Sequence, residues 1–393
     1  MLTGKALARR LLRGNIPLSF FLAMGFNLSS PTAYGQEAPA TRQTEKLQRG
    51  LVAVRRDANT VYVGWRLLAT DQNVAGFNLF RRTAGGEAVK LNGKPIAEST
   101  NWTDDKADLT QPNAYFVRPV YNGVPADASE QAAAEAQAYT LPADAPVRQY
   151  LSVPLQRPAG GTVTSGMSPA SAYTYNANDA SVADLDGDGQ YEIVLKWEPS
   201  NARDNGSAGL SGPTLLDAYR LDGTLLWRID LGRNIRSGAH YTQFMVYDLD
   251  GDGKAEVACK TADGTVDGQG VVIGDPGKDY RSLTIPTDGI PATATNDARY
   301  GKVLAGPEYF TIFDGPTGGA LATTDYLPSR EPLNGWGGVG GNGGNDANGN
   351  RADRFLAAVA YLDGQRPSVV MCRGYYGRSV LAAWDWRDGQ LTS

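Results

Sequence analysis

Short apolar runs recur along this chain, each closed by Asp, Asn or Gly. From Gly50 onward, "LVAVRR", "TVYVGWRLL", "GFNLFRRT" and "AYFVRPVYNG" show the strand-like alternation of a sheet with one buried face. Their spacing predicts a small, fibronectin-like β-sandwich over residues 48–140, with Trp65 and Phe77 in its core. Two polar stretches flank these runs. Residues 36–47 read as a flexible linker, and Ala/Glu-rich residues 126–138 read as a short helix or loose connection.

After Tyr150 the pattern becomes a repeat. "ASVADLDGDGQYEIVLKW" (180–197) returns as "FMVYDLDGDGKAEVACKT" (244–261) and, degenerate, as "LAAVAYLDGQRPSVVMCRG" (356–374). Each copy is strand, tight turn, strand, and each is followed by a second hairpin signal: "LLDAYRLDGTLLWRI", "YFTIFDGPTGGALA" and "VLAAWDWRDGQL". Four strands per repeat is the pattern of a β-propeller blade, so residues 150–393 predict part of a propeller. Three blades are fewer than the roughly 4–8 that close a ring. The expectation is therefore an all-β chain carrying an incomplete propeller, truncated at its C-terminus. "NGWGGVGGNGGNDANGN" (334–350) reads as a long loop between blades.

Composition fits this picture. Glycine is abundant, with 47 in 393 residues, as a turn-rich β protein requires. Only two cysteines are present, Cys259 and Cys372, each closing an apolar run, and free buried thiols are expected. No basic run suits nucleic acid. The N-terminus resembles an export signal: Lys5, Arg9, Arg10 and Arg13 precede the apolar stretch Ile16 to Leu28, then Ala33 and Gly35 at a cleavage site. Removing residues 1–35 shifts the formal charge from −5 to −9, leaving 33 cations against 42 anions. A secreted, periplasmic or cell-surface monomer with no membrane segment is expected.

The first two repeats pack like charges unusually close. Asp184, Asp186, Asp188 and Glu192 recur as Asp248, Asp250, Asp252 and Glu256. A hard divalent cation resolves the repulsion, and Ca²⁺ takes about 6–8 oxygen ligands at flexible geometry. The carbonyls of Gln190 and Lys254 complete the expected ligand sets. An EF-hand is excluded, because its twelfth position requires Glu and these loops hold Leu195 and Cys259 there. The third copy keeps only Asp363 and Gly364 and is expected to bind no ion.

"YNANDASVADLDGDGQYEIVLKWEPSNARDN", "NIRSGAHYTQFMVYDLDGDGKAEVACKTADGT" and "NRADRFLAAVAYLDGQRPSVVMCRGYYGRSVLAAWDWRDG" resemble the rhamnogalacturonan lyases of polysaccharide lyase family 11. The resemblance runs from about residue 45 to the C-terminus. It implies an eight-bladed calcium-binding propeller, of which about three blades are present. It also implies cleavage of the rhamnose–galacturonate backbone of rhamnogalacturonan I by β-elimination. It points to Asn178 and Glu198 as cleft residues, with Glu198 standing where the family is expected to have Asp.

"RGYYGR" supplies Arg373, Tyr375 and Arg378, cations and aromatic faces that suit acidic sugars. His240 is the only histidine and the one nameable candidate for the base, which is otherwise expected beyond residue 393. Lys196 and Lys260 stand at equivalent positions, where either could meet a polyanion. A non-catalytic calcium-binding propeller that binds carbohydrate or protein, or a hydrolase on the same scaffold, stays open.

Overall fold

The computed structural model describes residues 42–123, 134, 137–165, 170–283, 299–337 and 348–393. The stretch expected to be an export signal lies outside these residues, as do the start of the linker and most of the 126–138 and 334–350 stretches. Among the described residues almost none is helical, and no helix there is long and apolar enough to cross a membrane.

The N-terminal part contains β1 (Val52–Arg55), β2 (Val61–Gly64), β3 (Val74–Thr83), β4 (Ala88–Lys90), β5 (Asn101–Asp104), β6 (Asn113–Tyr121) and β7 (Tyr139–Leu141). They form two antiparallel sheets, ordered β1-β2-β5 and β4-β3-β6-β7. Alternation decides which side chains face inward: Val61 and Val63 are buried while Tyr62 points outward. Both sheets share one core, in which Val61, Val63, Leu79 and Tyr115 surround Trp65 and Phe77. The last two meet edge-on at 5.7 Å. A small hairpin follows, β8 (Gly161–Val163) with β9 (Ser171–Tyr173).

The repeats become sheets stacked in series. The first begins with β10 (Tyr175–Ala183), β11 (Glu192–Pro199), β12 (Leu215–Arg220) and β13 (Leu225–Asp230). The second starts at β14 (Phe244–Tyr247) and β15 (Glu256–Thr261). A short hairpin, β16 (Thr265–Val266) and β17 (Val272–Ile273), leaves the second repeat and adds to the outer edge of the first sheet. The expected four strands there are thus six, because Asp230 pairs with Val266. β18 (Tyr309–Phe313) and β19 (Ala320–Asp325) complete the second sheet. β20 (Phe355–Ala360), β21 (Ser368–Arg373), β22 (Val380–Arg387) and β23 (Gln390–Thr392) make the third.

Every residue of β15 is buried, because the second sheet is covered on both faces. One apolar cluster joins it to the first sheet through Val194, Leu216, Ile229, Val257 and Phe313. Another joins it to the third through Ala258, Phe310, Phe355, Met371 and Trp384, with Phe310 stacked on Trp384 at 4.4 Å. Cys259 and Cys372 are both free; the first is buried and the second half-buried.

Residues 42–48, with 42–47 read in sequence as part of the flexible linker, lie across all three repeat turns. The Gln43 N–H donates to the Gln365 carbonyl at 2.7 Å, and the Gln43 carbonyl accepts from the Tyr361 hydroxyl at 2.7 Å. Lys46 Nζ reaches the Asp252 carbonyl at 3.2 Å. Gln48 Nε2 donates to the Asp188 carbonyl at 3.2 Å, and its own carbonyl accepts from the Tyr191 hydroxyl at 2.8 Å. Polar composition predicted mobility here, but the exposed carbonyls of three distant turns supply partners that sequence spacing does not show.

Candidate metal centres and substrate face

The two acidic turns have the same internal geometry. Asp184 closes the first: its Oδ1 accepts the Gly187 N–H at 2.7 Å and its Oδ2 the Gly189 N–H at 2.8 Å. Asp248 closes the second through Gly251 and Gly253 at 2.7 and 3.0 Å. Gly189 (φ +85°) and Gly253 (φ +98°) sit in the left-handed region, so the sharp fold depends on having no Cβ there. Glu192 accepts the Leu185 N–H at 2.8 Å, and Glu256 accepts that of Leu249 at 2.8 Å.

One carboxylate oxygen each from Asp184, Asp186 and Glu192 lie within 4.8 Å of one another, as do those of Asp248, Asp250 and Glu256. Burial, with the neighbouring aspartates acting in the same direction, pushes Glu192 up to about 7 and Glu256 up to about 8. A hard cation fits this donor set and would relieve the repulsion. Asp188 and Asp252 stand apart from the trios: each uses Oδ1 to accept the N–H of Gln190 or Lys254, at 2.7 Å. The third turn is built differently. Asp363 accepts the N–H groups of Gln365 and Arg366 and pairs with the Arg366 guanidinium at 2.9 Å.

At the opposite end of the same hairpins, polar side chains gather from several loops. A bulge in β10 between Ala177 and Ala180 displaces Asn178 and Asp179 outward. Asn178 Nδ2 donates to Glu198 Oε2 at 3.2 Å, so the pair nominated from sequence does meet, in an exposed position. Lys196 is buried, paired to Asp179, and reaches the Thr242 carbonyl at 3.5 Å. Two residues before Thr242, His240 Nδ1 lies 3.0 Å from Asp204 Oδ2 and 3.2 Å from Asn205 Oδ1. Asn205 in turn bonds Asn350 and Tyr375. Arg354 stacks on the Tyr375 ring at 4.6 Å, and exposed Arg378 stacks on Trp336 at 4.6 Å.

Arg373 does not belong to this face. It is 0 % exposed and holds Glu308 with Nη1 and Nη2, at 2.7 and 3.0 Å. Lys260 is equally withdrawn, 2.7 Å from the same carboxylate. Both expectations of contact with a polyanion are corrected, because each cation is consumed by a buried anion between sheets. Asp204, Asn205 and Arg354 escaped the sequence reading; Asp204 and Asn205 end the polar run "EPSNARDN" that follows a buried strand, the one signal that could have found them.

Residues 150–393 match the family described as rhamnogalacturonan lyase family 11, C-terminal domain, and residues 42–134 match the rhamnogalacturonan I lyase beta-sheet domain. The chain is 49% identical over 377 residues to rhamnogalacturonan endolyase YesW of Bacillus subtilis (strain 168), covering 96% of this chain and 52% of that protein. It is 49% identical over 353 residues to rhamnogalacturonan exolyase YesX of the same organism, covering 90% and 50%. The crystal structure of exotype YesX matches with a TM-score of 0.71 at 48% identity, covering 90% of this chain and 51% of that one. The Bacillus licheniformis rhamnogalacturonan lyase matches with a TM-score of 0.71 at 49% identity, covering 90% and 52%. The chain spans about half the length of the curated relatives it matches.

Proposed function

The chain belongs to rhamnogalacturonan lyase family 11, and from that membership we propose that it cleaves the rhamnose–galacturonate backbone of rhamnogalacturonan I by β-elimination. The observation that carries this reading is the match to the family over residues 150–393. In the reaction the C5 proton of galacturonate is removed, the C4–O4 bond to rhamnose breaks, and a C4–C5 double bond forms. The C5 proton is weakly acidic beside a charged carboxylate, so cationic donors near that carboxylate lower the barrier. Arg354, half-buried against Tyr375, is placed to serve, and Asn178 with Glu198 offers hydrogen bonds to sugar hydroxyls.

The same reading makes the three stacked sheets blades of a propeller, with β10, β14 and β20 lining its axis. Each is the first strand of its sheet, and β14 packs against both of the others. The acidic turns are structural calcium sites held by Asp184, Asp186 and Glu192 and by Asp248, Asp250 and Glu256. A bound ion there supplies positive charge that pins the turn. The basic and apolar N-terminal stretch supports export, where pectic polysaccharide is met.

The test is to incubate the chain with rhamnogalacturonan I and follow the ultraviolet absorbance of the unsaturated product. Rising absorbance without reducing ends beyond the number of cuts is the expected result. Reducing ends without absorbance point to hydrolysis, and retention on the polysaccharide with neither signal points to a binding module; either outcome overturns the lyase reading.

A further inference from the structure

His240 is held by two acceptors on one nitrogen. Asp204 Oδ2 and Asn205 Oδ1 both face Nδ1, at 3.0 and 3.2 Å. The Asn205 amide has little freedom to turn over. It is 1 % exposed, and its Nδ2 donates to the Asn350 carbonyl at 2.6 Å, to Asn350 Oδ1 at 2.9 Å and to the Tyr375 hydroxyl at 3.3 Å. That network leaves Oδ1 facing the imidazole. A carboxylate and an amide oxygen can only accept, so Nδ1 carries the hydrogen. In the neutral ring the lone pair then lies on Nε2, which has no hydrogen-bond partner among the described residues.

The ring's surroundings suit a proton acceptor. The His240 side chain is 25 % exposed, so solvent or a ligand can reach it. The Asp204 carboxylate faces Nδ1, which keeps the bare Nε2 turned away from it. The loop that carries His240 also meets the Asn178 and Glu198 end of the first sheet, because Lys196 bridges Asp179 and the Thr242 carbonyl. Lys196 itself is buried and ion-paired, which leaves it unsuited to the task.

Resting on the lyase reading, we propose that Nε2 of His240 takes the C5 proton, with Asp204 and Asn205 as positioning residues that fix the tautomer. The step balances without water. The C–H electron pair forms the C4–C5 double bond, the C4–O4 pair leaves with the rhamnosyl oxygen, that oxygen takes a proton from solvent on its own face of the ring, and Nε2 returns its proton to solvent.

One histidine in the chain makes the test clean. Long-range proton–nitrogen spectra of the labelled protein, prepared without a histidine tag, should show Nδ1 protonated and Nε2 bare in the neutral ring. Adding a rhamnogalacturonan I oligosaccharide should shift Nε2 and protect it from diethyl pyrocarbonate. His240→Gln should lower kcat about 100-fold or more while KM stays within about twofold. Asn205→Ala should lower kcat and mix the tautomers, which a merely structural role would not do. An Nε2–H tautomer overturns the proposal. So does an oligosaccharide that shifts other resonances but leaves Nε2 unmoved and unprotected. An oligosaccharide that shifts nothing overturns the substrate reading beneath it.

Discussion

Arg373 and Glu308 face each other as a two-pronged ion pair, Nη1 2.7 Å from Oε2 and Nη2 3.0 Å from Oε1, although 65 positions separate them. Lys260 and Arg330 contact the same carboxylate at 2.7 and 3.1 Å, so one buried anion ties the second sheet to the third. Breaking a buried pair from one side costs about 3–5 kcal/mol, because the remaining charge stays desolvated. Glu308→Gln should therefore destabilise by that amount, and by more than Arg373→Met, which leaves Lys260 and Arg330 on the carboxylate. Urea midpoints compared at constant m-value measure both; the reverse ranking would sink the assignment.

The same carboxylate predicts an acid limb in stability. Although burial alone would raise Glu308, the Lys260, Arg373 and Arg330 charges outweigh it and hold the group well below its ordinary 4.5. A lowered folded value means that the unfolded chain binds the proton first. Stability is then full above about 4.5 and falls as the pH drops towards the folded value. Asp353 opposes part of this, since burial pushes it upward. Unfolding free energy measured between pH 6 and 3 should decline, and Glu308→Gln should flatten the decline.

What sequence reading could reach was local. Asp-Gly turns, alternation at Val61 and Val63, and the repeated acidic turns all use signals within a dozen positions; the strands appear where expected, and three of the four carboxylates expected in each acidic turn gather together. Arg373 was misplaced because "RGYYGR" looks the same whether its first arginine meets solvent or Glu308. The β16–β17 hairpin joined the neighbouring sheet through a single pairing, Asp230 with Val266, which no periodicity announces. His240 could be nominated as the one histidine, but the acceptors on Nδ1 come from a loop about 35 positions away.

Metal removal should act on the acidic turns separately. A ligand bound only to the folded state at a hundredfold excess over Kd stabilises it by about 2.7 kcal/mol. Dialysis against EDTA should lower the melting temperature, and calcium should restore it. Asp184→Asn and Asp248→Asn should each remove one class of heat in calcium titration calorimetry. Identical melting with and without chelator would remove the basis for calcium in these turns.

The strap formed by residues 42–48 offers a reporter of those turns that needs no substrate. Two of its anchors are carbonyls of the acidic turns, Asp252 for Lys46 and Asp188 for Gln48. Its side chains also cover the glycines: a Cβ on Gly251 would meet Gln43, and one on Gly253 would meet Lys46. Residues 46–48 of the strap can stay docked only while both turns keep their shape, and the turns keep their shape best when their carboxylates are neutralised. Chelation should therefore release these residues. Lys46, exposed but tethered, should be cut by trypsin slowly in calcium and several-fold faster in EDTA. Gln48→Ala should speed cleavage in calcium by freeing one anchor, with little change in EDTA, where the anchor is already lost. Equal cleavage rates in calcium and EDTA would mean that the strap holds independently of the ions, and that the turns are rigid without them.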